Sequence, residues 1–122
     1  MFARQQRGES LYLTAWIDTV PVGQGELIFA QPRELRSLHV SEAHRGHGIG
    51  TALIRAAECA SLEVGELSLC VGLDNPGARR LYERLGYTPT GETSTTTYRY
   101  VDADGEHEAT ETDERLVRRI AP

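Results

Sequence analysis

Apolar positions along this chain change their spacing, and the changes mark out elements. Residues 11–17, with Tyr12, Leu13 and Trp16, form a largely apolar run suited to a strand. Residues 18–20, followed by Pro21, read as a turn, and residues 22–30 as the returning strand, which Gly23 and Gly25 weaken or bulge. Gln31-Pro32 punctuates, and residues 35–40 make a third strand. From 49 to 64 the spacing lengthens. Leu53, Ala57, Ala60 and Val64 recur at steps of four, three and four, the buried stripe of a helix, and Gly65 stops it. A strand over 66–71 and a helix over 76–85 follow. Residues 87–91 continue extended, residues 95–101 are β-branched and aromatic, and Asp102-Ala103-Asp104-Gly105 turns the chain so that 106–110 pair back. Thr112 or Asp113 is placed to cap a short last helix carrying Leu116 and Ile120, with Arg115, Arg118 and Arg119 toward its C-terminal end. Residues 2–9 are polar and read as the frayed end of a helix. With no internal repeat and no dividing linker, residues 1–122 are expected to form a single α/β domain.

The stretch Arg45-Gly46-His47-Gly48-Ile49-Gly50 lies between the third strand and the first helix. Glycine lets a ligand approach the backbone closely. The first helical N–H groups lack internal partners, and the helix dipole favours an anion there. Arg45 adds a fixed cation. The chemistry suits a pyrophosphate. A P-loop needs a lysine after its last glycine, and Gly50 is followed by Thr51 and Ala52. A dinucleotide fingerprint started at Gly46 needs a glycine at Thr51, and started at Gly48 a small residue at Leu53. What remains is Arg-x-x-Gly-x-Gly, or a glycine-rich turn that binds nothing.

Downstream, Asn75 is a good N-cap and Pro76 falls at the first helical position. Ala78, Leu81, Tyr82 and Leu85 share one helix face, and Gly86 suits the stop. The motifs Arg45-x-x-Gly48-x-Gly50 and Asn75-x-x-Ala78-x-x-Leu81-Tyr82, followed by Gly86-Tyr87, occur in this order about 25–30 residues apart, room for one helix and one strand. Together they resemble the two signatures of the GNAT family of N-acetyltransferases, over about residues 10–101. The resemblance implies a GNAT fold, a mixed and mostly antiparallel sheet with helices on both faces, here shortened at its N-terminus. It implies transfer of an acetyl group from acetyl-CoA to a primary amine of a small molecule or peptide by direct attack through a tetrahedral intermediate. The cosubstrate's diphosphate would lie on Arg45, Gly46, His47, Gly48, Ile49, Gly50 and Thr51. Its pantetheine arm would run along Leu38, His39 and Val40, with the Val40 N–H polarising the thioester carbonyl, and would reach Asn75 and Ala78. Tyr82 matches the tyrosine that protonates the departing thiolate. Glu34, at the start of the third strand, is the first candidate for general base, ahead of His39. Each has a plainer alternative: Asn75 as a cap only, Tyr82 as an ordinary helix aromatic, Glu34 as a solvated charge beside Arg33 and Arg36.

Composition adds bounds. Charged residues at 25% and hydrophobic ones at 39% are ordinary for a globular chain, and a net charge of −5 disfavours binding to nucleic acid. Cys59 and Cys70 read as two buried thiols of a reduced, cytoplasmic protein. No apolar run has the length of a membrane span, no signal peptide is evident, and no His/Cys cluster suggests a metal. Members of the family usually begin with a further strand and one or two helices, so an open strand edge and a homodimer are expected. The rival to an enzyme is a non-catalytic acyl-CoA-binding or sensing module.

Overall fold

A computed structural model describes the backbone of residues 2–4 and residues 10–30 and 32–120 in full. The elements run β1 (Phe2–Arg4), β2 (Ser10–Ile17), β3 (Val20–Ile28), β4 (Arg33–Val40), a 3-10 turn (Glu42–His44), α1 (Ile49–Cys59), β5 (Glu66–Gly72), α2 (Pro76–Arg84), β6 (Thr88–Asp102) and β7 (Gly105–Arg119). They divide into two units. The first takes the chain to Leu69 and regains it at Arg118; the second spans Cys70 to Val117.

In the first unit β1, β2, β3 and β4 are antiparallel neighbours, and β5 joins β4 in parallel after the α1 crossover. Leu11, Leu27, Leu35 and Leu69 stand opposite one another across four strands. Leu27, Leu35 and Leu69 are buried, each worth about 2 kcal/mol on removal from water. The helix α1 packs on β2, β3 and β4 through Leu53, Ile54 and Ala57. It approaches closely at Gly23, where an added Cβ would lie 2.9 Å from Ile49 Cγ2 and 3.1 Å from Leu53 Cδ1. The buried Glu58 accepts from Arg55 at 2.8 and 3.0 Å and pairs with Arg118 at 2.9 Å. Beside it, the Ile120 N–H donates to Gly65 O at 2.9 Å.

In the second unit α2 is capped at both ends. Asn75 Oδ1 accepts from the Ala78 N–H at 3.1 Å, and past the helix the Tyr87 N–H reaches Tyr82 O at 3.0 Å, with Gly86 left-handed between. Tyr82, Tyr87, Val71 and Leu116 are its buried apolar residues. The hairpin β6–β7 is one long ladder, with Thr95 and Thr97 hydroxyls each 3.0 Å from those of Thr112 and Thr110.

Four expectations are corrected. Residues 112–120 are not a helix: β7 continues to Arg119, with Leu116 paired to Pro89 and Val117 to Thr88. The supposed cap Thr112 bonds across the hairpin instead, and its carbonyl accepts from the Leu73 N–H. α1 ends at Cys59, and Ile54 and Glu58 take the buried places expected of Ala60 and Val64, because the chain turns at Ser61, whose carbonyl accepts from Val64 and Gly65. Residues 2–4 form a strand on β2 rather than a helix end, so the β2 edge is covered at residues 11–13; residues 5–9 lie outside the described part. Cys59 is exposed and Cys70 half-buried, and no disulfide joins them.

Filling the space at the α1–β3 contact is expected to cost stability. Gly23→Val should lower the unfolding free energy by about 1–3 kcal/mol in urea titration, the usual penalty for overpacking a tight contact.

Candidate functional site

β4 leaves regular pairing before it reaches the glycine loop. Glu26 is opposite Arg36 and Gln24 opposite His39, so Ser37 and Leu38 together face Gly25. Ser37 takes the left-handed conformation, φ 56°. Gly25 makes room for the bulge, since a Cβ there would lie 3.0 Å from Leu35 Cδ1 and 3.4 Å from Leu38 Cδ1. The parallel ladder to β5 joins residues 33–35 to 67–69. Beyond it, His39 and Val40 keep ladder partners on β3. The backbone of residues 38–40 therefore presents its other edge.

The loop that follows is tied down at its start. The Ser41 N–H donates to Val22 O at 2.7 Å, and Arg45 Nε donates to Val40 O at 3.3 Å. Gly46 and Gly48 are then left-handed, φ 80° and 79°, with open space where a Cβ would stand. Gly48 is the N-cap of α1 and offers no side-chain cap. The first helical bond is Ala52 N–H to Gly48 O at 3.0 Å, and no acceptor for the Ile49, Gly50 or Thr51 amides is found among the described residues. These three donors and the helix dipole share one helix start, an arrangement that fits an anion such as a diphosphate, and the exposed Arg45 precedes it by four residues. Gly50 is helical, and a Cβ on it would make only an ordinary 3.8 Å contact with Val40 Cγ2. The protein's own packing does not demand glycine there.

A cleft of about 440 Å³ opens between the start of β3 and this loop, with Gln24, His39, Ser41, Glu42 and Arg45 on its wall. His39 is exposed and lines it, which settles the direction that strand alternation left open. Glu42 joins the cleft without having been singled out in the sequence; a lone acidic residue after a strand carries no signal there. Glu34 is not a solvated charge. Its side chain is 12% exposed and Arg36 Nε donates to it at 3.1 Å.

In the second unit α2 holds Asn75, Ala78 and Tyr82. Tyr82 is almost fully buried, and that burial pushes its hydroxyl above the ordinary tyrosine range. Among the described residues no group of His, Cys, Asp or Glu is arranged to hold a metal, and no helix is long and apolar enough to cross a membrane.

Residues 1–87 match the acetyltransferase (GNAT) family, most of the chain. The chain belongs to the GNAT family. A 62-residue stretch is 42% identical to N-alpha-acetyltransferase 40 of Saccharomyces cerevisiae, covering 43% of this chain and 22% of that protein. Nourseothricin acetyltransferase superposes with a TM-score of 0.73 at 26% identity, over 93% of this chain and 66% of its own. A GNAT family acetyltransferase from Elizabethkingia anophelis with acetyl-CoA bound gives 0.72 at 15% identity, over 92% and 77%. The α/β architecture of this GNAT chain is that of its structural neighbours.

Two outcomes follow from this GNAT geometry. Gly48→Ala should destabilise by about 1–2 kcal/mol, the cost of a side chain in the left-handed region, whereas Gly50→Ala should leave stability unchanged or raise it by up to about 1 kcal/mol; urea unfolding measures both. Alkali should also destabilise the fold through Tyr82. Its folded pKa lies above the unfolded value of about 10, so its contribution is present below that value and is lost as pH rises through the folded one. Tyr98, raised by its hydrogen bond to Glu111, acts in the same window. Tyr82→Phe should therefore flatten, without abolishing, the loss of stability measured by denaturant titration above pH 10.

Proposed function

We propose that this chain is an N-acetyltransferase, moving the acetyl group of acetyl-CoA to a primary amine of a small molecule or peptide by direct attack through a tetrahedral intermediate. The observation that carries the reading is the uncapped α1 terminus, where the Ile49, Gly50 and Thr51 amides find no acceptor among the described residues and two left-handed glycines precede them. A diphosphate supplies what these groups lack. The acetyl-CoA bound by the Elizabethkingia relative and the acetyltransferase named in yeast support the same ligand and chemistry.

In this reading Leu38, His39 and Val40 hold the pantetheine arm by their backbone, as an added strand would. The Val40 N–H donates to the carbonyl oxygen as it becomes negative. Glu34 takes the proton of the attacking amine, its carboxylate oriented by Arg36. Tyr82 gives a proton to the departing thiolate; burial keeps its hydroxyl protonated at neutral pH. Asn75 caps α2, and it and Ala78 border the arm. No metal takes part. The protein works in the cytoplasm as a homodimer.

Turnover and binding separate this from a module that only holds acyl-CoA. With a panel of amines, free CoA should accumulate. Tyr82→Phe should then cut kcat by about a hundredfold, within the usual range for loss of a general acid, while the Kd for acetyl-CoA by calorimetry stays within about twofold. Unchanged turnover removes Tyr82 from the mechanism. Binding without CoA release from any amine supports the module instead.

A further inference from the structure

Alternate residues of a strand share a face, and residues directly opposite on the neighbouring strand share it with them. In the β6–β7 hairpin this puts Tyr98, Tyr100 and Asp102 on one face with His107, Glu111 and Asp113. Arg99 lies on the other face with Glu106, Glu108 and Glu114. The two faces treat charge differently. On the arginine face Glu108 pairs with Arg99 and Glu114 with Arg79. On the tyrosine face no arginine pairs with Asp102, Glu111 or Asp113 among the described residues. Glu111 accepts from the Tyr98 hydroxyl at 3.0 Å through Oε1 alone. Asp102 meets His107 Nε2 and the Asp104 N–H at 2.8 Å each, both at Oδ1. Asp74 adds a fourth carboxylate. Its Oδ1 and that of Asp113 stand 2.6 and 3.6 Å from the point a Cβ on Gly72 would occupy, and Asp74 acts electrostatically on the Tyr98 hydroxyl.

Exposed rings run between these carboxylates. Tyr98 and Tyr100 are 41% and 44% exposed, with ring centroids 6.2 Å apart, and Tyr100 stacks on His107 at 5.0 Å. Ring faces attract a cation and the carboxylates neutralise it. The acidic groups are strung out rather than gathered, and they form no group able to hold a metal. Asp113 stands opposite Ser94, so from there to Asp102 the strip covers eight steps of β6, about 27 Å at ~3.4 Å per residue.

We propose that this face docks an extended, arginine-bearing polypeptide segment, a partner separate from the amine acceptor of the transferase reading. Length and ring spacing select the occupant. A strip of about 27 Å matches a segment of about eight extended residues. Side chains two apart on such a segment lie about 6.8 Å apart, close to the spacing of the two tyrosine rings, so successive arginines on one side cover successive rings. A planar guanidinium stacks on a ring and forks onto a carboxylate, whereas an ammonium lacks the flat face. The partner supplies the cations that Arg99 and Arg79 supply on the other face.

The probe is a peptide of eight alternating arginine and serine residues, acetylated at its N-terminus and labelled through a C-terminal cysteine. It carries no primary amine, so its binding is not acceptor binding, and failure here leaves the transferase reading standing. Fluorescence anisotropy with the full chain should give a micromolar Kd. Tyr98→Ser with Tyr100→Ser keeps every charge and should raise the Kd at least fivefold. Glu111→Gln should raise it about threefold, while Glu106→Gln, the same charge removed from the opposite face, should leave it within 1.5-fold. Circular dichroism checks that each variant folds; should the tyrosine pair not fold, Glu111→Gln against Glu106→Gln decides. No binding, equal weakening by Glu111→Gln and Glu106→Gln, or a Kd indifferent to the tyrosine pair would overturn the proposal. Spermidine binding as tightly as the peptide would assign the strip to a small polyamine and overturn it too.

Discussion

A helix that starts without a side-chain cap leaves its first amides to water or to a ligand, and much of the first unit is arranged around one such start. The chain can cap a helix with a side chain: Asn75 does so for α2. At α1 a left-handed glycine stands in that position, a choice that forgoes about 1 kcal/mol of capping. The surrounding structure offsets the omission. Arg45 is anchored to the end of β4 and Ser41 to β3, so the loop does not collapse onto its own donors. Leu53, Ile54 and Ala57 press α1 against the sheet at Gly23, fixing where the donors point.

The bulge in β4 prepares the neighbouring chemistry by the same means. Placing Ser37 and Leu38 against the single residue Gly25 turns β4, and its last residues show a backbone edge. In the function proposed above, main-chain groups do the recognising at the loop and along the strand, which leaves side chains elsewhere free to change; the fold itself is shared with neighbours at 15% and 26% identity, with TM-scores of 0.72 and 0.73.

What was legible in the sequence was local. Asn75, Pro76 and Gly86 act within one helix, and both ends of α2 fall where their chemistry puts them. The glycines of the loop work through their own φ, whereas Gly25 was read as a weak point of β3 and the extra residue lies opposite it, on β4. Long-range pairing was not legible. Leu116 and Ile120 fit a helical step of four as well as a two-residue alternation, and pairing with β6, invisible in a linear reading, decides for the strand. The salt bridge from Arg36 to Glu34 escaped for a related reason: neighbours two apart meet only once the strand is known. In α1 the stripe was read in the right helix but drawn one turn too long, because the turn at Ser61 is made by a carbonyl and not by a residue type.

The clasp of Glu58 by Arg118, and of Gly65 by the Ile120 amide, has a bearing on biosynthesis. A buried carboxylate that lacks one of its cations is costly, and the segment that supplies this one is translated some sixty residues after the helix it completes. Until Arg118 to Ile120 have been made, the first unit lacks this fastener. Its final consolidation therefore depends on late, distant contacts.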